Sequence, residues 1–227
     1  MSKGQKRIRN RLDRIYQALF DHFGPQHWWP GETRLEIMAG AILTQNTAWS
    51  NVERAIANLK KEKALTLEGL SRMRLRRLER LIRPSGYFRQ KARRLKDFLA
   101  FLSRRHKGDL RSMSRLPWQG LRQELLAQKG IGPETADSIL LYALGKPVFV
   151  VDAYTRRVGR RLGLFHTDDY QEIQDFFHRR VPRKTSLYNE WHALIVALGK
   201  SVCKTKPLCG MCPLDSLCGH KISNFEG

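Results

Sequence analysis

The chain is defined first by what it has little of. No cysteine stands before Cys203, so structural thiols are not scattered through it, and a reducing compartment is expected in which disulfides do not persist. Long apolar runs are missing. Stretches such as Ile37 to Leu43 fall well short of a bilayer span, so no membrane contact is expected. The segment Lys3 to Arg14 is basic and lacks the apolar core of a signal peptide, which gives a cytoplasmic, nucleoid-associated location as the expectation. Alternating strand patterns, low-complexity linkers and internal repeats are absent as well. Acidic residues are scarce: 21 Asp and Glu face 42 Lys and Arg, for a net charge of +21. That imbalance points to a polyanionic partner, nucleic acid being the commonest, with a ribosomal or general RNA-binding protein as the competing reading of charge alone.

The 227 residues suffice for a proper core in one domain or two small lobes. Apolar residues recur at helical spacing throughout. Ile8, Leu12, Ile15, Leu19 and Phe20 form one stripe; Leu35 to Leu43 form a more buried helix; Val52, Ile56 and Leu59 a third. Leu75, Leu78, Leu81 and Ile82 continue the series until Pro84 and Gly86. Further helices are expected over 91–105, 121–127, 135–143, 153–162, 170–180 and 188–200. The β-branched run Val148 to Val151 could pass for a strand, but it has no strand partner and reads as an extended, buried connection. The fold class is all-α. Basic clusters at 72–83, 89–96, 156–161 and 179–184 lie along these helices, which implies a folded basic surface.

Several motifs carry chemistry. Lys129-Gly130-Ile131-Gly132 is a tight turn between two helices, with Pro133 suited to the first helical position. Glycines at 130 and 132 permit positive φ and close backbone approach to a phosphate. This helix-hairpin-helix pattern grips DNA backbone without reading sequence; its bland alternative is an ordinary helix–helix turn. The run Val148 to Val151 then delivers Asp152 to the head of the next helix, where it can cap the helix and be kept ionised by N–H groups. Cys203, Cys209, Cys212 and Cys218 follow the spacing C-x5-C-x2-C-x5-C. Four thiolates can bind zinc or an iron–sulfur cluster; zinc sites more often show two C-x2-C pairs, so the spacing favours iron–sulfur. Trp28 and Trp29, followed by Pro30, and Trp49 are either core residues or a platform for a displaced base.

Together these pieces resemble the helix-hairpin-helix DNA glycosylase superfamily, the endonuclease III type in particular. The likeness rests on Leu43-Thr44-Gln45-Asn46-Thr47, on Ser85-Gly86-Tyr87 with Lys91-Ala92, on the hairpin, on Val151-Asp152 and on the terminal cysteines. It implies two helical lobes with DNA bound between them. One is a six-helix barrel with the hairpin over 31–150; the other combines 1–30 with 151–227 and carries a C-terminal [4Fe–4S] loop on the four cysteines. The first cysteine loop, Lys204 to Leu208, is one residue shorter than is usual in that family. A monomer acting on double-stranded DNA with damaged bases is implied.

The departure from that pattern is Glu134, which stands where bifunctional members carry the lysine that forms a Schiff base with the sugar. A carboxylate forms no imine, and Lys129 is expected to face phosphate instead. The reading is therefore a monofunctional enzyme that leaves an abasic site. Gly-Ile-Gly-Pro-Glu-Thr-Ala-Asp, Val-Phe-Val-Val-Asp-Ala-Tyr and Trp28-Trp29-Pro30 are most similar to the 3-methyladenine DNA glycosylase branch. By that resemblance Asp152 is catalytic and Glu134 structural or pocket-orienting. Trp28, Trp29 and Trp49 line the base pocket, Gln45 fills the gap in the duplex, and Lys200 reaches the pocket. Lys129, Gly130, Ile131 and Gly132 hold phosphate. Indole faces favour a cationic alkylpurine by up to roughly 2 kcal/mol per desolvated contact. The alternatives are a mismatch glycosylase for thymine, uracil or adenine, a non-catalytic DNA-binding module, and a zinc-bound RNA-binding protein.

Overall fold

A computed structural model describes residues 3–29 and 31–219. Pro30 lies outside the described residues. All regular structure among those described is helical: α1 (Lys3–Phe23), α2 (Arg34–Leu43), α3 (Trp49–Lys61), α4 (Leu67–Arg72), α5 (Leu75–Leu81), α6 (Phe88–His106), α7 (Leu110–Met113), α8 (Trp118–Leu126), α9 (Pro133–Ser138), α10 (Ala153–Arg161), α11 (Tyr170–Arg180) and α12 (Thr185–Ser201). The helix expected over 135–143 is α9 followed by a wider π turn, Ile139–Ala143. Helix starts are written in side chains. Thr33, Thr66, Asp109, Asp152 and Asp169 each accept a hydrogen bond from a first-turn N–H, a cap worth about 1 kcal/mol apiece.

The chain divides into two compact units, one of residues 29–146 and one of residues 1–28 with 147–227. In the central unit α2 is apolar on nearly every side and buried from Leu35 to Leu43 apart from Ile37, as a helix enclosed by others must be. It packs on α3, α6, α9 and the π turn. Met38, Ile42, Leu43, Val52, Leu59, Leu78, Leu95 and Leu102 are fully buried there.

In the other unit α1 and α10 pack on α12, with Leu12, Ile15 and Leu19 buried beneath Tyr188, Trp191 and Leu194 of the same unit. The run Val148–Val151 is buried and extended without pairing as a strand. Side chains of α11 take the place of a neighbouring strand. Phe149 N–H donates to His178 Nε2 (3.0 Å), Gln174 Nε2 donates to Phe149 O (2.7 Å), and Val151 N–H donates to Tyr170 Oη (3.3 Å). Buried backbone polar groups need partners, and three side chains supply them here.

Candidate active site

Asp152 is the N-cap of α10: its Oδ1 accepts from Thr155 N–H at 2.7 Å. Its other oxygen, Oδ2, lies 3.6 Å from His192 Nε2 on α12. Both side chains are nearly buried. Burial pushes the Asp152 carboxyl up, but the charge and polar contact of His192, with the hydrogen bonds of Thr155, outweigh it and hold the carboxyl below its ordinary value. The result is a desolvated carboxylate that stays charged. In the sequence His192 is one letter in an apolar run with no signal of its own; only the packing of α12 on α10 makes it the neighbour of Asp152.

In the central unit, the hairpin is built around Gly130. Its φ is +81°, and a Cβ there would meet Arg94 Nε at 2.3 Å, so glycine serves both backbone and neighbour. Gly132 does not share this: its φ is −88° and it is the extended N-cap of α9. Of the two glycines that permit a positive φ, Gly130 alone adopts it and supplies the reversal of the chain. Open space surrounds the Gly132 Cα, so what glycine provides there is room for an approaching group. Ile131 anchors the turn, with a buried side chain and its N–H closed onto Gln128 O at 3.0 Å. The N–H groups of Gly130 and Gly132 meet no acceptor among the described residues, and Lys129 and Glu134 are exposed beside them. Free N–H groups at a turn leading into a helix are suited to an anion.

Gln45 is tied to this hairpin. Its Nε2 donates to Gly130 O (2.9 Å) and Thr135 Oγ1 (3.0 Å), while its Oε1 accepts from Arg94. Lys91, 1% exposed, donates to Leu43 O (2.8 Å) and Ser85 O (2.6 Å). It thereby joins the end of α2 to the Ser85–Tyr87 turn, and burial pulls its ammonium down to about 8. From that turn Tyr87 projects 69% exposed, in the left-handed region at φ +43°. An aromatic ring held out on a strained, clamped turn was visible in the sequence only as part of Ser85-Gly86-Tyr87; its exposure had no signal of its own.

Trp28, Trp29 and Trp49 fall into two groups, each within its own unit. Trp29 and Trp49 meet edge to face at 4.9 Å, and Tyr142 packs 4.9 Å from Trp29. Trp29 and Trp49, with Glu36, Gly40, Glu53 and Lys60, line a hollow of about 190 Å³. Trp49 Nε1 donates to Glu53 (3.0 Å), and Lys60 pairs with Glu36 (2.8 Å). In the other unit Lys200 Nζ lies 5.5 Å from the ring centre of Trp28, a cation–π contact.

Cys203, Cys209, Cys212 and Cys218 line one small cavity together with Arg161. Burial, with the other three cysteines adding to it, pushes the Cys212 thiol up. Among the described residues, no three His, Cys, Asp or Glu side chains converge on a single metal-ion position. Arg161 Nη1 donates to Cys203 Sγ (3.3 Å) and Lys204 O (2.6 Å), and Arg157 Nε donates to Cys203 O (2.8 Å). The loop is thus fastened to α10.

Comparison with known proteins adds the following. Residues 39–183 match the family described as HhH-GPD superfamily base excision DNA repair protein. A protein of Methanocaldococcus jannaschii named "Putative DNA repair glycosylase" is 46% identical over 92% of this chain and 96% of its own length. The crystal structure of H. pylori 3-methyladenine DNA glycosylase bound to 1,N6-ethenoadenine superimposes with a TM-score of 0.73 at 30% identity, covering 85% of this chain and 96% of that one. A non-covalent endonuclease III–DNA complex gives 0.79 at 26% identity, covering 93% and 95%.

Proposed function

The chain belongs to the HhH-GPD superfamily of base excision DNA repair proteins, and from that premise we propose that it is a monofunctional DNA glycosylase that releases alkylated purines from duplex DNA. The observation that carries the reading is a buried, ionised Asp152 in a chain that has a carboxylate, not an amine, at 134. The first can serve a developing positive charge, and the second cannot form an imine.

Alkylation at N3 of adenine or N7 of guanine leaves the ring positively charged. As the C1′–N bond breaks, its electron pair neutralises that ring, so no strong general acid is required. The sugar becomes oxocarbenium-like, Asp152 stabilises it or orients a water towards C1′, and the water's proton passes to that carboxylate or to solvent. His192 acts as a positioning residue that keeps the carboxylate charged. The aromatic hollow of Trp29 and Trp49, with Glu53 on one indole N–H, is electron-rich and favours a cationic base over its neutral parent. Trp28 and Lys200 are the proposed substrate contacts of their own unit, the hairpin holds the lesion-bearing backbone, Gln45 fills the gap in the duplex, and Tyr87 is a wedge between base pairs.

The four cysteines fit a [4Fe–4S] cluster. All four line one small cavity, a donor set that would supply one thiolate to each of four irons. When bound, the cluster would cross-link the loop through its thiolate bonds.

The test is a panel of duplexes carrying 3-methyladenine, 7-methylguanine, 1,N6-ethenoadenine, and thymine or uracil opposite guanine. Free alkylpurine is expected, with strands breaking only after alkali and no covalent complex trapped by borohydride. Efficient trapping, or release confined to the mispaired pyrimidines, overturns the reading.

A further inference from the structure

The basic cluster over 72–83 is not used by the site described above, and the structure gives it a shape. Where the end of α3 meets α4 and α5, a hollow of about 770 Å³ is lined by Lys63, Arg72, Arg74, Arg76, Arg77 and Arg80. Ordinary exposed arginines on helices find carboxylates three or four residues away. One here does, Arg72 pairing with Glu68 at 2.7 Å, and Arg77 pairs instead with Glu62, fifteen residues before it. Lys63, Arg74, Arg76 and Arg80 meet no carboxylate among the described residues, and all four are exposed.

The backbone that carries them is held in place. Lys96 on α6 donates to Leu70 O (2.7 Å), Ser71 O (2.7 Å) and Met73 O, closing the end of α4. Thr66 caps its start, accepting from Gly69 N–H at 3.0 Å. The cations are therefore gathered around a hollow whose α4 backbone is held at both ends by side-chain hydrogen bonds. Like charges so placed repel one another, and a concave low-dielectric wall focuses their field. Guanidinium groups match phosphate oxygens in geometry as well as charge. None of the lining residues belongs to the hairpin, to Gln45 or to Arg94.

We propose that this hollow is a second phosphodiester-binding site, separate from the hairpin, that takes duplex DNA backbone without reading sequence. It rests on the reading that the chain works on duplex DNA, and deepens it. The backbone can come from a flanking stretch of the lesion duplex or from another duplex.

The experiment compares wild type with Arg74→Gln/Arg76→Gln/Arg80→Gln, and with the corresponding Arg→Lys triple variant as a charge-retaining control. Binding to undamaged 12- and 30-base-pair duplexes is followed by fluorescence anisotropy across salt concentration. Losing three phosphate contacts should reduce the slope of log K against log[salt] by about 2 to 3 and weaken binding on the order of tenfold or more. The Lys variant should keep most of the slope, and excision from the 12-base-pair lesion duplex should be unchanged. A loss seen only with the longer duplex at one-to-one stoichiometry supports the flanking source. Loss of the ability to carry labelled duplex onto immobilised duplex supports the second. Unchanged slope and affinity in the Gln variant, with unchanged melting temperature, overturn the proposal. Because undamaged DNA is used, a wild type that binds this way yet releases no base would sink the glycosylase reading and leave this one standing.

Discussion

His192 Nε2 on α12 stands 3.6 Å from Asp152 Oδ2 at the head of α10, so the helix cap and the proposed catalytic carboxylate are one group facing an imidazole. The cap explains why Asp152 is held in position, and the imidazole explains why it stays charged although buried.

Asp152→Asn is expected to abolish base release while leaving duplex binding and folding nearly intact. Asparagine still accepts from Thr155 N–H, and Asn and Asp cap about equally well. Asp152→Ala should lose release and also about 1 kcal/mol of stability. Single-turnover excision and urea melts of both variants check this, and activity in the Asn variant would remove Asp152 from its role.

His192→Phe separates charge from packing. The wild-type Asp152 carboxyl lies below its ordinary value of 3.8, so its contribution to stability is present above that pH and is lost as pH falls through the lower folded-state value. Without the imidazole, burial is left to push the carboxyl up. The acid limb of the excision rate should then move to higher pH, and acid unfolding should start earlier. A merely structural role would lower stability without displacing that limb.

Lys91 gives the same slope in an alkaline window. Its folded-state value of about 8 lies below the ordinary 10.5, so between those pH values the unfolded chain binds more protons and wild-type stability should rise with pH. Lys91→Met leaves the carbonyls of Leu43 and Ser85 without this donor, at a cost of about 1 to 3 kcal/mol per group. It should also remove the rise. Denaturant titrations at pH 7.5 and 10 for both proteins read the two effects separately.

Glu134→Lys should introduce what the chain lacks. Borohydride should trap a covalent complex with lesion DNA in this variant and none in wild type, with strand cleavage appearing before alkali. Failure to trap at any pH up to 9 would place residue 134 outside reach of the sugar.

Purified protein should be brown, with broad visible absorbance and about four irons per chain. Cys212→Ser should lose the colour and loosen the loop that Arg161 and Arg157 fasten to α10. A colourless protein holding one zinc would overturn the cluster assignment.

The all-helical class, the hairpin, the cap at Asp152 and the grouping of the cysteines follow from sequence alone. Each is set by local physics: apolar period, glycine freedom, a capping carboxylate, thiol spacing. The membership that the resemblance implied rests on the same local motifs. Gly132 shows the limit of that reading, since either glycine could have taken the positive φ and only the path of the chain assigned it to Gly130. His192 beside Asp152, Lys91 beneath two loops, Arg94 under Gly130 and the open arginine hollow belong to tertiary structure. Their partners are distant in sequence, and neither burial nor the absence of a nearby carboxylate is written in a residue's own neighbourhood. The chain alone determined which groups are present; packing of α10 on α12 and of α2 on α6 decided which of them meet, and so which stay charged.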